Sequence, residues 1–328
     1  MSELPEGLAD FTARTGWADA KVQPLPGDAS FRRYFRLVRG AESAMLMHAP
    51  PPHEDPAPFL HVAGWLKDNA MCAPAIIAAE PDAGWVLTED FGNDRMRDWL
   101  DLHPADERAA YEAAVEALVA LHRLAPGPFA PYDMAVYARE AALFTEWYCP
   151  AQGLDVDAEG YAAAWEEALA PLLARQNPGV TVLRDYHAEN IMLLAGQPGA
   201  PQGLIDFQDA LVGHPAYDLV SLLQDARRDV SEDLETIMLL HYAHHAGVAD
   251  EEFLADYARL GAQRNAKIVG IFTRLNARDG KPKYLGMIPR VWTALERDLA
   301  HPALEPVARW FDANIPDSLR VASGAFQA

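Results

Sequence analysis

Between Thr181 and Leu194 the chain reads TVLRDYHAENIMLL, and shortly afterwards it resumes with GLIDF at 203–207. The apolar runs have the character of buried strands, yet Asp185, His187, Glu189 and Asn190 interrupt the first and Asp206 sits in the second. Burying such groups without partners is costly, so the runs are expected to pair as a β-hairpin that gathers Asp185, Asn190 and Asp206 at one end. Two carboxylates and an amide at one spot suit a hard cation such as magnesium, which takes oxygen ligands. A polar loop whose Asp and Asn bond their own backbone is the plain alternative.

The rest of the chain supplies a setting for that hairpin. A short helix is expected over 8–20, then strands at FRRYFRLV and SAMLMHAP joined by the turn RGAES. PAPFLHVAGWLKDNAM places Phe59, Val62, Ala63 and Leu66 on one helical face. AIIAAE and GWVLTED form two more β-like runs around a Pro-Asp-Ala-Gly turn, and FGND breaks the pattern. From Asp106 the texture becomes helical: DERAAYEAAVEALVALHRL carries a continuous apolar stripe, and similar patterns recur at about 133–148, 157–174, 217–228, 232–246 and 250–276. The expectation is an α+β chain in two lobes, a small β-rich one over 1–92 and a larger, mostly helical one over 93–328 that carries the hairpin.

Composition narrows the function classes. The 27 Lys and Arg against 48 Asp and Glu give a net charge of −21, which repels a polynucleotide, so no nucleic-acid partner is expected. No apolar run reaches the roughly 20 residues of a membrane helix. The opening MSELPEGLADF has no basic stretch before an apolar core, and a cytoplasmic location is expected. Cys72 and Cys149 belong to no CxxC pair and read as reduced structural thiols. No segment marks a protein partner.

The spacing Arg184-Asp185, four residues, Asn190, followed by Asp206 in LIDF, resembles the catalytic loop and metal-binding aspartate of kinases. With His187 two residues after the aspartate, it is similar to the aminoglycoside phosphotransferase and choline kinase superfamily, whose loop commonly reads HGDxHxxN ahead of an [IV]DF segment. The resemblance runs through DASFRRYFRL, MLMHAPP, LRDYHAENIM, LIDFQDALVGHPAYDLVSLLQDARRDV and QRNAKIVGIFTRL, hence along nearly the whole chain. It implies a bilobal protein-kinase-like fold, with ATP and Mg²⁺ as cofactors. Within the superfamily these segments look most like bacterial kinases of the anomeric C1 hydroxyl of N-acetylated amino sugars, implying a small-molecule amino-sugar substrate.

The same resemblance implies roles. Asp185 would be the base that accepts the hydroxyl proton, and Asn190 and Asp206 would hold the metal. GDASFRRYF would cover the phosphates with backbone N–H groups, Ser30, Phe31, Arg32 and Arg33 among them, although no GxGxxG run is present. VLTEDFG would be the connector that meets adenine near Glu89 and Phe91. Arg184, His187, Glu189, Gln208, Asp225 and Arg228 flank the base and are candidates for the sugar, with Arg227, Asn265 and Arg274 as further possibilities; Arg227 and Arg228 could equally solvate a helix end. One departure stands out. The superfamily usually carries a phosphate-gripping lysine on the third strand, where this chain has Met47. Either Arg32, Arg33 or Arg36 takes its place, or nucleotide affinity is low.

Two features point nowhere firm. His241, His244 and His245 have helical spacing but lack an obvious further zinc ligand. The eight tryptophans are scattered singly, as core fillers are. Other kinases of the same fold, acting on an aminoglycoside, choline or homoserine, and a catalytically silent nucleotide-binding protein remain alternatives.

Overall fold

The computed structural model describes residues 4–26, 31–248 and 251–320. The N-terminal part holds α1 (Leu8–Arg14), β1 (Lys21–Pro24), β2 (Arg33–Arg39), β3 (Glu42–His48), α2 (Ala57–Asp68), β4 (Ile76–Glu80) and β5 (Trp85–Glu89). The strands form one antiparallel sheet in the order β1-β2-β3-β5-β4. Alternation gives it two different faces. Phe35, Leu37, Leu46, Trp85 and Leu87 pack with Leu8 and Phe11 of α1 on one side. Met47 and Val86 belong to a second cluster with Phe59, Val62 and Leu66 of α2. Each fully buried side chain of this size contributes about 1.5–3 kcal/mol relative to exposure.

Two local outcomes differ from the sequence reading. The first helix stops at Arg14, before Gly16 at φ 79° turns the chain. Lys21–Pro24, which lacks an alternating pattern and ends in proline, still adds an edge strand, because β2 offers it a free ladder.

The C-terminal part contains α3 (Met96–Leu102), α4 (Glu107–His122), α5 (Met134–Ala141), the short α6 (Cys149–Ala151), α7 (Ala158–Arg175), β6 (Val180–Val182), β7 (Ile191–Met192), β8 (Gly203–Leu204), β9 (Leu211–Gly213), α8 (Ala216–Leu223), α9 (Glu232–Ala246), α10 (Glu251–Asp279), α11 (Ile288–Leu299), α12 (Glu305–Asn314) and α13 (Asp317–Arg320). The 29-residue α10 is the buried spine of this part. Gly270 lets its backbone press against Leu143, since a Cβ there would fall 2.3 Å from the Leu143 carbonyl. The helix anticipated over 133–148 changes to a π turn at Phe144–Tyr148, and the one anticipated over 217–228 ends at Leu223.

The expected single hairpin is instead two nested ladders. β7 pairs with β8 (Ile191 opposite Leu204), while β6 pairs with β9 (Val182 opposite Leu211). The polar loop 183–190 leaves the outer ladder and enters the inner one, and Asp206 lies between β8 and β9 rather than at the end of a continuous strand. Strands of two or three residues carry too little periodicity to reveal which partner they take. The larger apolar cluster continues across residue 92, linking Met47, Phe59 and Val86 with Tyr111, Ile191 and Phe207. Phe59 of α2 stacks on Phe207 at 5.2 Å, beside Asp206.

Candidate active site

The loop after β6 is held from beneath by α8 and the residues that follow it. Asp218, fully buried, accepts the backbone N–H groups of Leu183 (2.6 Å) and Arg184 (2.8 Å). Burial pushes its carboxyl up to about 7, with the two backbone N–H groups opposing. Ser221 donates to the Arg184 carbonyl and accepts from Arg264 of α10. Asp225 accepts from Ala188 (3.3 Å) and Arg227 (2.8 Å) backbone nitrogens. Those bonds explain why α8 ends early: Asp225 turns back to brace the loop. Arg184 (φ 71°) and Asp206 (φ 59°) both occupy the left-handed region, a conformation that costs about 1–3 kcal/mol for such residues and that surrounding bonds must enforce.

Asp185, Asn190 and Asp206 come together as expected from their spacing. The Asn190 amide donates to the Asp185 carbonyl (3.0 Å) and approaches Asp206 Oδ2 at 3.3 Å, and Gln208 donates to Asp206 Oδ1 at 2.9 Å. Burial opposes ionisation of Asp185, but neighbouring charges, Lys267 foremost, hold its pKa below the usual carboxylate value. Asp206 moves the other way. Solvent reaches its carboxylate, yet the cleft walls crowd it, and that crowding together with the charge of Asp185 raises its pKa. A dication would relieve this repulsion, and Asn190 turned about its last torsion would present oxygen beside Asp206, so these residues fit magnesium.

Of the six candidates for the sugar, Gln208 stays beside Asp206 and the others divide into three groups. Arg184 shares a wall with residues not singled out from sequence: Arg184 donates to Glu140, whose Oε1 also lies 3.0 Å from the Lys267 ammonium, and Lys267 donates to Tyr217 at 3.2 Å. His187 and Glu189 form a second group with Arg227, whose Nη1 donates to His187 Nε2 (3.1 Å) and whose Nε is 3.1 Å from Glu189. Glu189 also pairs with Arg97 of α3. His187 is neutral, pushed down to about 3 by burial and then by Arg227. Asp225 and Arg228 form the third group, lining a cavity of about 230 Å³ with Arg290 and Arg297, and Arg228 pairs with Glu107 at 2.7 Å.

On the sheet side, Ser30 lies outside the described residues. Phe31 is 66% exposed and stacks on His53. Arg32 pairs with Glu54, and Arg33 lies over the Phe35 ring. Arg36 is bound to Asp90 (2.7 Å) and the Gly92 carbonyl (2.6 Å), fastening β2 to the connector. Glu89 secures β4: its N–H donates to the Ala75 carbonyl and its carboxylate accepts from Ala75 N–H. Phe91 lies against Gly203 of β8, where a Cβ would fall 2.6 Å from its ring. Met47 is 2% exposed in the apolar cluster.

Glu140, Asp218, Arg264 and Lys267 escaped the sequence reading. Their signal is a charge inside a helix's apolar face, as in AYDLVSLL and NAKIVGIF. Arg274 lies further along the same α10, and Asn265, fully buried, donates to Gln224 at 2.7 Å. His241 faces Glu116 at 3.6 Å, and no three His, Cys, Asp or Glu side chains converge as a metal site among the described residues. Cys72 and Cys149 are free thiols.

Residues 21–262 match the phosphotransferase enzyme family, and the chain belongs to it. Among its relatives, the N-acetylmuramate/N-acetylglucosamine kinase of Caulobacter vibrioides is 36% identical, covering 97% of this chain and 99% of that protein. The protein of the same name from Pseudomonas aeruginosa is 38% identical over 90% of each. The fold is shared with choline kinase LicA from Streptococcus pneumoniae (TM-score 0.63, 14% identity, 88% of this chain and 98% of that one). It is shared too with the ADP-bound aminoglycoside phosphotransferase APH(2'')-Ib (TM-score 0.58, 12% identity, 90% and 99%).

Proposed function

We propose that this chain transfers the γ-phosphoryl group of ATP to the anomeric C1 hydroxyl of N-acetylmuramate or N-acetylglucosamine, giving the α-1-phosphate. The observation that carries the substrate assignment is end-to-end similarity to relatives bearing that name. The convergence of Asp185, Asn190 and Asp206 supports the chemistry.

Asp185 is the base in this reading. It is ionised at neutral pH and accepts the C1 hydroxyl proton as that oxygen bonds the γ-phosphorus, the bridging oxygen leaves with ADP, and the proton passes to solvent. An anomeric hydroxyl is more acidic than an ordinary sugar alcohol, which suits a carboxylate. Asn190 and Asp206 would hold Mg²⁺, which supplies neutralisation of the phosphate charge. Adenine is assigned to the connector from Asp90 to Asn93, beside Phe91, because the Glu89 groups are committed to β4.

On the acceptor side, Arg184 and Lys267 flank Asp185 and share Glu140, so the wall is cationic on balance and suits a neutral or carboxylate-bearing sugar better than a polyamine. Among the described residues no helix is long and apolar enough to cross a membrane, and the reaction is assigned to the cytoplasm, where ATP is at hand. The test is an acceptor screen by ADP release, with the phosphate position read by phosphorus NMR. Phosphate at C1, and none on methyl N-acetylglucosaminide, is the expected result; phosphorylation of the methyl glycoside overturns anomeric specificity.

A further inference from the structure

The floor of the cleft carries Asp185, Asp206 and Asp209, and a triphosphate brings more negative charge to a chain already at −21. A cation must face that charge from the sheet. Met47 cannot supply it. The three arginines of FRRYFR are distinguished by the sheet's two faces. Phe35 and Leu37 pack under α1, so Arg33 shares their face, and its guanidinium lies 5.2 Å over the Phe35 ring. Arg32, Tyr34 and Arg36 alternate onto the other face, where Tyr34 stands directly opposite Met47 in the ladder. Arg36 is bound to Asp90 and Gly92.

Arg32 remains, and it is held in a built setting. Glu54, ahead of α2, accepts from the Phe31 N–H (3.1 Å) and from Arg32 Nε (3.2 Å). Both side chains of the pair are only 15% exposed. The Tyr34 hydroxyl lies beside Arg32, and both groups feel the charge of Asp206. Burial, then Asp206, push the Tyr34 hydroxyl up to about 12, so it keeps its proton and can donate.

We propose that Arg32 grips the nucleotide's phosphates from the β2 side of the cleft, with the Tyr34 hydroxyl beside it and Glu54 as the positioning carboxylate, replacing a β3 lysine that Met47 excludes. This rests on the phosphotransferase reading above. Arginine suits the task because its planar fork carries five N–H donors, enough for one guanidinium to serve Glu54 and a phosphate together.

The experiment is calorimetric titration of ADP with Mg²⁺ into the full chain, with steady-state kinetics alongside. R32M is expected to weaken ADP by about ten-fold or more, with R32Q as a second charge-removing variant, and R33M to stay within about two-fold. E54Q is expected to raise the ATP KM and leave the acceptor KM unchanged. The double variant R32M/E54Q should be no weaker than R32M alone, because Glu54 acts through Arg32. Unchanged ADP binding in both R32M and R32Q, or an equal loss in R33M, overturns the grip. Additive losses overturn the role of Glu54. The titration needs no acceptor: failure to phosphorylate amino sugars would sink the functional reading while leaving this test intact, and ADP binding indifferent to Arg32 in an active amino-sugar kinase would sink this inference alone.

Discussion

The two sides of the cleft are built differently. The floor, from Leu183 to Asn190, rests on Asp218, Ser221 and Asp225, each buried and each bonded to loop backbone. The sheet side, where the nucleotide is proposed to bind, presents partly exposed residues: Arg32 is braced by Glu54, and Arg36 fastens β2 to the connector. The difference matches the demands on each. A base must be placed to within a fraction of an ångström of its productive position, whereas a phosphate grip works through longer-ranged charge and tolerates adjustment.

The largest effect should come from the floor itself. D185N is expected to lower kcat by about 10³-fold or more while ADP binding stays within about two-fold, read by coupled kinetics and calorimetry. Loss of nucleotide binding in D185N would blur the division between the two sides. Next, D218A strands two buried N–H groups and should cost about 2–5 kcal/mol in urea unfolding, with kcat falling as the loop loosens. A stable, fully active D218A would show that the floor does not depend on its buried bed. K267M, which leaves Glu140 to Arg184 and the Tyr132 hydroxyl, should reduce turnover by about ten-fold with ADP binding unchanged, placing Lys267 on the acceptor side.

The smallest effect lies outside both sides and vanishes at neutral pH. His122, bonded to Tyr242 at 2.8 Å, is pushed down from 6.5 to about 3 by burial and then by His214. As pH falls below 6.5 the unfolded chain binds a proton that the folded chain refuses, so stability declines across the window from 6.5 toward 3. Between pH 6.5 and 5 this amounts to about 2 kcal/mol. H122Q should remove that part of the acid sensitivity, measured as urea midpoints at pH 7.5 and pH 5, and should leave kinetics at neutral pH unchanged.

Much of the site was legible because its signals are local. Asp185 and Asn190 lie five residues apart on one loop, and Asp206 follows in a run with a recognisable apolar frame. The helical lobe and the strands β2 to β5 announced themselves through periodicity. The nested ladders did not, because their strands are too short to mark a partner. Glu140 and Lys267 lie 127 positions apart on α5 and α10, and nothing local says that they meet. The sugar candidates Asp225 and Arg228 looked alike in the chain, yet Asp225 accepts from the loop's Ala188 N–H, Arg228 pairs with Glu107, and both line a cavity with Arg290 and Arg297.

For the opening stretch TVLRDYHAENIMLL, the chain alone determined which residue types must leave the apolar strands and at what spacing, because hydrophobic periodicity and the cost of burying charge act over a few residues. Tertiary structure decided what those groups do. Asp218 rising from α8 to hold the loop, the charge of Asp206 felt at Arg32 and that of Lys267 felt at Asp185 all depend on bringing together segments remote in sequence, and only close packing does that.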